Sequence, residues 1–465
     1  MNGNLTGDQR WLDAFPKPVP LFERGDWASF WITVALTLTV YLFTLAPQVT
    51  LEFSGLLSTS ALYAGVPQTP GYPLWTLYAW SFTKLLPFGN IAWRVAISSA
   101  VAAAMACGIV ALLVTRGSAL LLAGFEKQQR LPGQEEALLR KVCGIVAGAG
   151  FGFHRDFWKN AVIVEMIGLS MLLLAVVLYL LFHWKQSTGK AFFLYASFLT
   201  YGLALTVQLS LVVALPGLML ILLLKNPSFG RDFAFVLGTA LMFLTLAREQ
   251  WIPAPISSWM QLGSLRSAYF VTALIALLIC GVLAFITRRL MTHWRPVGLS
   301  TLLFILGLFP YFYLPLASMS NPPVNWGYTR SIEGWVHSLG RGQYESILLD
   351  CHPFPLARDC VLYAKQTVHD VGWLYLSAAL VLPATLFKLK GCARRWILGL
   401  IATFLSLSLL MLKGLNLSAY GVSAGFAGPY FIASHLVVIV MAGHGLAVIG
   451  TTLARRGSRP RFLSF

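Results

Sequence analysis

The sequence is poor in charge. Only 11% of its 465 residues are Asp, Glu, Lys or Arg, against 57% hydrophobic, whereas a soluble domain carries about 25% charged residues. That shortage, together with many apolar runs of about 20 residues, excludes an ordinary soluble globule and points to a polytopic helical membrane protein. A phosphate loop of the form G-x-x-x-x-G-K-[ST] is missing, as is a Rossmann glycine pattern, which argues against ATP-driven or nicotinamide chemistry within the chain. There is no repeat and no low-complexity tract. No small-residue cleavage site follows the first apolar run, so it reads as an uncleaved span rather than a signal peptide. Acids are scarce beside bases, 17 against 34, for a net charge of +17. With no nucleic-acid module to use it, that excess reads as the cytoplasmic Lys and Arg of a membrane protein.

What is present is a series of apolar segments. Spans are expected at 27–46, 91–115, 142–156, 160–183, 191–207, 209–225, 232–248, 268–287, 297–317, 371–388, 396–413 and 428–451. This is an all-α architecture of about twelve transmembrane helices with both termini on one side. The run 72–87, "YPLWTLYAWSFTKLLP", is ambiguous, because counting it as a span inverts every later loop. Kept outside as an interfacial helix, it leaves 23 of the 34 basic residues on the face that holds "RRLMTHWR", "KLKGCARR" and "ARRGSRPRF". Orientation follows Lys and Arg, so that face is expected in the cytoplasm. The organisation is then a cytoplasmic arm (1–26), a membrane domain (27–451) and a basic tail (452–465). Two long outer loops stand out, 47–90 and 318–370. The third span is rich in glycine, at Gly144, Gly148, Gly150 and Gly152, a spacing that reads as close helix packing.

Of six cysteines, Cys351 and Cys360 share the second outer loop, and an outer compartment permits a disulfide between them. A metal site using His352 is the weaker reading, because the spacing matches no zinc pattern. Other polar candidates also gather on the outer face. Glu52 is the only acid between Trp27 and Phe125. "HRDFW" (His154 to Trp158) lies between the third and fourth spans, with Glu165 about one turn into the fourth. An intramembrane carboxylate suggests function by default, while pairing with Arg155 or Lys159 is an equal alternative. The second loop holds Asn325, Trp326, Arg330, His337, Arg341, Gln343 and Tyr344. Its arginines run against the charge trend, as residues that bind a lipid phosphate in bidentate fashion would, or as members of ordinary ion pairs.

The stretches "TLEFSG", "GVPQTPGYPLW", "LLPFGNIAWRV", "FWKNAVIVE" and "NPPVNWGYTRSIEGWVHSLGRGQYE" resemble a bacterial membrane family, long labelled as of unknown function, that is related to the transmembrane protein O-mannosyltransferases of the GT-C superfamily. The resemblance implies a GT-C-like bundle with two horizontal helices after the first span, near 55–65 and 72–87, in a bacterial inner membrane. It implies sugar transfer, with inversion, from a polyprenyl-phosphate-linked donor to an acceptor on the outer face. Glu52 would be the general base. The substrates would be held by Gln68, Tyr72, Trp75, Arg94, His154, Arg155, Glu165, Asn325, Trp326, Arg330, His337, Arg341, Gln343 and Tyr344. A divalent metal is an open cofactor, with no clear ligand set.

This sequence departs from the family where Phe53 and Leu56 replace two acids, where Gln68 and Thr69 alter a His-Pro-Pro-Gly-Tyr-Pro pattern, and where only Gln208 remains of a later polar group. The alternative is therefore a catalytically degenerate relative that binds polyprenyl lipid or scaffolds a complex. A transporter should show related halves or broken, charged spans, and neither is evident.

Overall fold

An apolar segment in lipid must satisfy its own backbone, so the runs fold as helices. The computed structural model describes residues 24–51, 53–124, 133–186, 191–246, 263–289, 291–339, 353–389, 391–415 and 424–458. In chain order the helices are α1 (Arg24–Thr44), α2 (Ser54–Tyr63), α3 (Pro73–Leu85), α4 (Ile91–Ala123), α5 (Gly133–Gly152), α6 (Arg155–Ala161), α7 (Ile167–Gln186), α8 (Phe192–Val207), α9 (Leu215–Lys225) and α10 (Pro227–Leu246). They continue with α11 (Gly263–Thr287), α12 (Trp294–Gly307), α13 (Tyr313–Met319), α14 (Ile332–Leu339), α15 (Pro353–Val371), α16 (Trp373–Thr385), α17 (Gly391–Leu415) and α18 (Ala424–Ser458).

Among the described residues, seven helical segments are long and apolar enough to cross a membrane: α1, α4, α7, α11, α12 continued through α13, α17 and α18. Three shorter apolar segments, α8, Leu209–Lys225 and α16, add to these. The other two expected spans fall on α5, which opens with Glu135, Glu136, Arg140 and Lys141, and on α10, which carries Arg231 and Asp232 near its start. The chain is an all-α, multi-pass integral membrane protein.

α4, 33 residues long, is the central post, contacting α1, α5, α7 and α18. Its start is fixed by Asn90, whose side chain accepts from the Trp93 amide at 2.8 Å, an N-cap that satisfies an orphan donor. The glycines of α5 do what their spacing suggests. A Cβ on Gly148 would come within 2.7 Å of the Cys107 carbonyl, so α5 reaches α4 at a distance only glycine permits.

The fourth expected span begins later than the sequence suggests. α6 ends at Ala161 and α7 starts at Ile167, with residues 162–166 non-helical. Glu165 therefore sits in a break rather than inside a helix. The break persists because other segments take up its backbone groups. Ala46 donates to the Val162 carbonyl at 2.9 Å, and Trp75 Nε1 and Ser99 Oγ both donate to the Glu165 carbonyl, at 3.2 and 2.9 Å. A buried backbone carbonyl needs such partners.

Candidate functional site

The first long loop turns back under α1 and is stitched there. Asn90 Nδ2 donates to the Pro47 carbonyl at 2.7 Å, and Trp158 Nε1 donates to Thr44 Oγ1 at 3.1 Å. Between α2 and the head of α4 opens a cleft of about 550 Å³, lined by Gln48, Val49, Gly55, Ser58, Thr59, Tyr63 and Asn90 among others. Glu52 lies outside the described residues, but Val49, three residues before it, and Gly55, three residues after it, both line the cleft.

The two long loops, more than 250 residues apart in sequence, meet through the backbone. Val66 donates to the Val324 carbonyl at 2.9 Å, and Trp326 donates back to the Val66 carbonyl at 3.0 Å, forming a short parallel bridge between Val66 and Asn325. Gly65 allows the approach, since a Cβ there would lie 2.5 Å from the Val324 carbonyl. Tyr313 adds a hydroxyl bond to the Ala64 carbonyl. Val66, Tyr311, Leu314 and Ala317 form an apolar floor beneath. Around this junction, buried polar atoms without a protein partner accumulate: the hydroxyls of Thr50, Ser58, Ser60, Thr69, Ser318 and Ser338, Asn325 Oδ1 and Arg330 Nε. Buried polar groups are ordinarily bonded, so this concentration marks the region as chemically unfinished by the protein alone.

The expected site residues divide by what holds them. Gln68 and Tyr72 are half-buried at the loop junction, with Asn325 half-buried and Trp326 exposed across the bridge. Trp75 is fully buried and tied to the Glu165 carbonyl, so it braces α3 against the α6–α7 break. Arg94 is committed to backbone: its Nε donates to the carbonyls of Phe88 and Gly89, at 3.0 and 3.1 Å, and a terminal nitrogen donates to that of Thr83, at 3.2 Å. Arg330 bonds Asn321 and stacks over Tyr328, 4.3 Å from the ring centre. His337 is exposed on α14. Arg341, Gln343, Tyr344 and Cys351 lie outside the described residues, as therefore does the expected Cys351–Cys360 bridge; Cys360 is half-buried on α15 with a free thiol.

His154 and Arg155 belong to a second group, with partners from α15 and α18. His154 Nε2 lies 2.9 Å from His435 Nδ1, His435 Nε2 lies 3.2 Å from Thr367 Oγ1, and the Thr367 hydroxyl donates to the Tyr363 carbonyl at 2.8 Å. His154 Nδ1 accepts from the Phe157 amide at 3.3 Å, capping α6. The network thereby assigns both tautomers: each ring carries its proton on Nε2 and accepts on Nδ1. Burial lowers the His154 pKa to about 4, with the Asp370 carboxylate pulling the other way. Asp156, beside it, is raised, by burial first and by Asp370 second, against the charges of Arg155, Lys159 and His369. Arg155 reaches His369 Nε2 at 3.3 Å.

Ligand atoms of His154, Asp370 and His435 lie within 4.8 Å of one another. The donor set nevertheless fits a metal poorly. A metal would need the lone pair of His154 Nε2, which moves the ring proton to Nδ1, where it faces the Phe157 N–H instead of accepting from it. Metal-bound imidazoles ordinarily give that second N–H to an acceptor. Neither Asp370 nor His435 stands out in the sequence as a site residue. Only a histidine in an apolar run hinted at the pairing.

Residues 54–229 match the family described as "Protein O-mannosyl-transferase TMEM260 N-terminal domain", a segment that begins two residues after Glu52 and includes α2, α3 and the α6–α7 break. The chain is 23% identical over 436 residues to the protein O-mannosyl-transferase TMEM260 of Mus musculus, an alignment covering 92% of this chain and 50% of the mouse protein. The chain thus spans about half the length of the curated relative it matches. No solved structure matches it. Over most of its length the chain is thus similar in sequence to a protein O-mannosyl-transferase.

Proposed function

We propose that this protein is a glycosyltransferase that moves a sugar, mannose by analogy with its relative, from a polyprenyl-phosphate-linked donor to an acceptor hydroxyl on the outer face of the membrane. The setting is a bacterial inner membrane, as the resemblance implies, with both termini cytoplasmic, as the Lys and Arg distribution implies. The observation that carries this reading is the position of the cleft: it adjoins Glu52 in sequence on both sides, and its α2 and α4 walls fall within the segment that matches the mannosyltransferase family.

Breaking a sugar–phosphate bond requires a base for the attacking hydroxyl and stabilisation of the departing phosphate. Glu52 is the acid available to the first long loop, and Arg330 on the second loop is the nearest cation in sequence to the loop junction, its Nε buried without a partner. The exposed aromatic rings of Trp80, Phe88 and Trp326 suit an amphipathic lipid donor at an interface.

The test is transfer itself. Purified protein in proteoliposomes, given a polyprenyl-phosphate-mannose, should release polyprenyl phosphate and label an added acceptor. Donor binding with no release in any acceptor pool would instead favour a catalytically degenerate lipid-binding relative. That reading is supported by a specific feature of the sequence: Phe53 and Leu56 stand where the resembling family carries acids.

A further inference from the structure

The far end of α7 carries an imbalance of its own. From the break at Glu165, α7 runs 20 residues to Gln186, a length of about 30 Å. In its last turn Lys185 is only 6% exposed, and its Nζ has no hydrogen-bond partner. The neighbouring Gln186 Nε2 is likewise buried and unpartnered. So is the indole Nε1 of Trp396 on α17, a fully buried ring packed 4.9 Å from Phe182, one turn before Lys185.

Two more cations converge there. Lys225, the last residue of α9, donates to the Trp184 carbonyl and lies 4.1 Å over the Trp184 ring. Arg395 donates to the Leu224 carbonyl at 3.0 Å. Among the described residues, the titratable groups that act on Lys185 are Cys392, Arg395 and Lys225, with no Asp or Glu among them. α17, which carries Cys392 and Arg395, starts at Gly391, which places the positive end of its dipole near the cluster.

Unpartnered buried donors, two further cations and a helix N-terminus form a surrounding that an anion rich in acceptor oxygens would complete. A buried ammonium among like charges is costly unless it is paired, and phosphate pairs with several donors at once. We propose that Lys185, Gln186, Trp396, Lys225 and Arg395 form a phosphate-binding site at the end of the bundle remote from the cleft. The bound group is a phosphate monoester or diester, supplied either by an anionic lipid headgroup or by a soluble phosphate. Lys185, Lys225 and Arg395 come from three sequence segments, 184–190, 225–231 and 388–395, that belong to the face expected in the cytoplasm, where basic pockets between helices hold lipid headgroups.

The experiment places the purified full chain in nanodiscs of phosphatidylcholine with or without phosphatidylglycerol and reads retained lipid by native mass spectrometry. Wild type should retain phosphatidylglycerol over phosphatidylcholine by roughly tenfold or more. Lys185→Met should abolish that preference and Lys185→Arg should keep it. In phosphatidylcholine alone, millimolar inorganic phosphate that raises the melting temperature of wild type but not of Lys185→Met would assign a soluble source instead. Should Lys185→Met fail to fold, Arg395→Ala, at an exposed side chain, must weaken whichever ligand wild type selects. The proposal is overturned if wild type distinguishes neither ligand, or if the folded variants bind as wild type does.

Discussion

The cleft beside α2 and the histidine pair at the head of α6 are both polar, and both connect to the residues that follow α1, yet their polar atoms are occupied differently. In the pair every ring nitrogen has a partner, and the chain of bonds runs from the Phe157 amide through both rings to Thr367. Around the cleft and the loop junction, hydroxyl after hydroxyl is buried with none. A closed network fixes one packing of three helices and leaves nothing to offer a ligand. An open set of donors and acceptors is what a ligand can use. On the proposed reading, His154 and His435 are the lock and the first long loop carries the chemistry.

The largest effect that separates the two regions should come from Glu52→Gln. The amide keeps size and hydrogen bonding but cannot take a proton, so turnover of a polyprenyl-phosphate-mannose should fall by about 10²–10⁴ while donor binding and the unfolding midpoint stay put. Robust turnover in the variant removes Glu52 as the base.

His154→Leu should do the reverse. It strands His435 Nδ1 and the Phe157 amide in a buried site, which should cost about 2–4 kcal/mol of stability. Turnover per folded molecule should persist, read by denaturation in detergent alongside the activity assay. A stable, inactive His154→Leu would move the histidines into the chemistry and dissolve the distinction.

A smaller effect tests the loop junction. Gly65→Ala places a Cβ against the Val324 carbonyl, and the backbone must shift by a few tenths of an ångström or more to admit it. Overpacking of this kind costs about 1–3 kcal/mol. Protease sensitivity of the 318–330 segment should rise and donor affinity should drop together. Increased sensitivity with unchanged affinity would show that the second loop is not part of the site.

Much of this was legible before any coordinates. Apolar run length placed the spans, and the two horizontal helices that the resemblance implies after α1, near 55–65 and 72–87, correspond to α2 and α3 to within two residues. The break at 162–166 was not legible. Residues 162–164 read as apolar continuation, and what holds them out of a helix is distant: the Ala46 amide, the Trp75 indole and the Ser99 hydroxyl. Arg94 shows a similar limit. The resemblance implies a substrate role for it, whereas the carbonyls to which it donates belong to a turn whose shape the sequence does not announce. The union of the two long loops through Val66 and Asn325 depends on tertiary pairing, although two of the five stretches that carry the resemblance, "GVPQTPGYPLW" and "NPPVNWGYTRSIEGWVHSLGRGQYE", are the ones that touch.

The last prediction sharpens the comparison through pH. Burial holds the His154 pKa near 4 in the folded state, against about 6.5 in an unfolded chain. Between those values the unfolded chain takes up a proton that the folded protein refuses, so stability must fall as pH falls through this window. From pH 7 to pH 5 the loss should be about 2 kcal/mol from this residue. Asp156 works in the opposite sense. Its pKa is raised on folding, so the folded state binds its proton more readily, and that contribution grows as the solution becomes more acidic. That contribution sets in as pH falls through its raised folded value, so it offsets part of the loss, and comparing wild type with a His154 variant that keeps Asp156 separates the two. Unfolding midpoints measured from pH 7 to pH 5 should slope downward in wild type and much less in His154→Gln, which keeps a polar side chain at the α6 cap but cannot titrate. The pH profile of turnover should instead follow the cleft and change with Glu52→Gln rather than with His154→Gln. Equal slopes in wild type and His154→Gln would mean that His154 is protonated, or solvated, in the folded protein, and the closed hydrogen-bond chain on which the contrast rests would not hold.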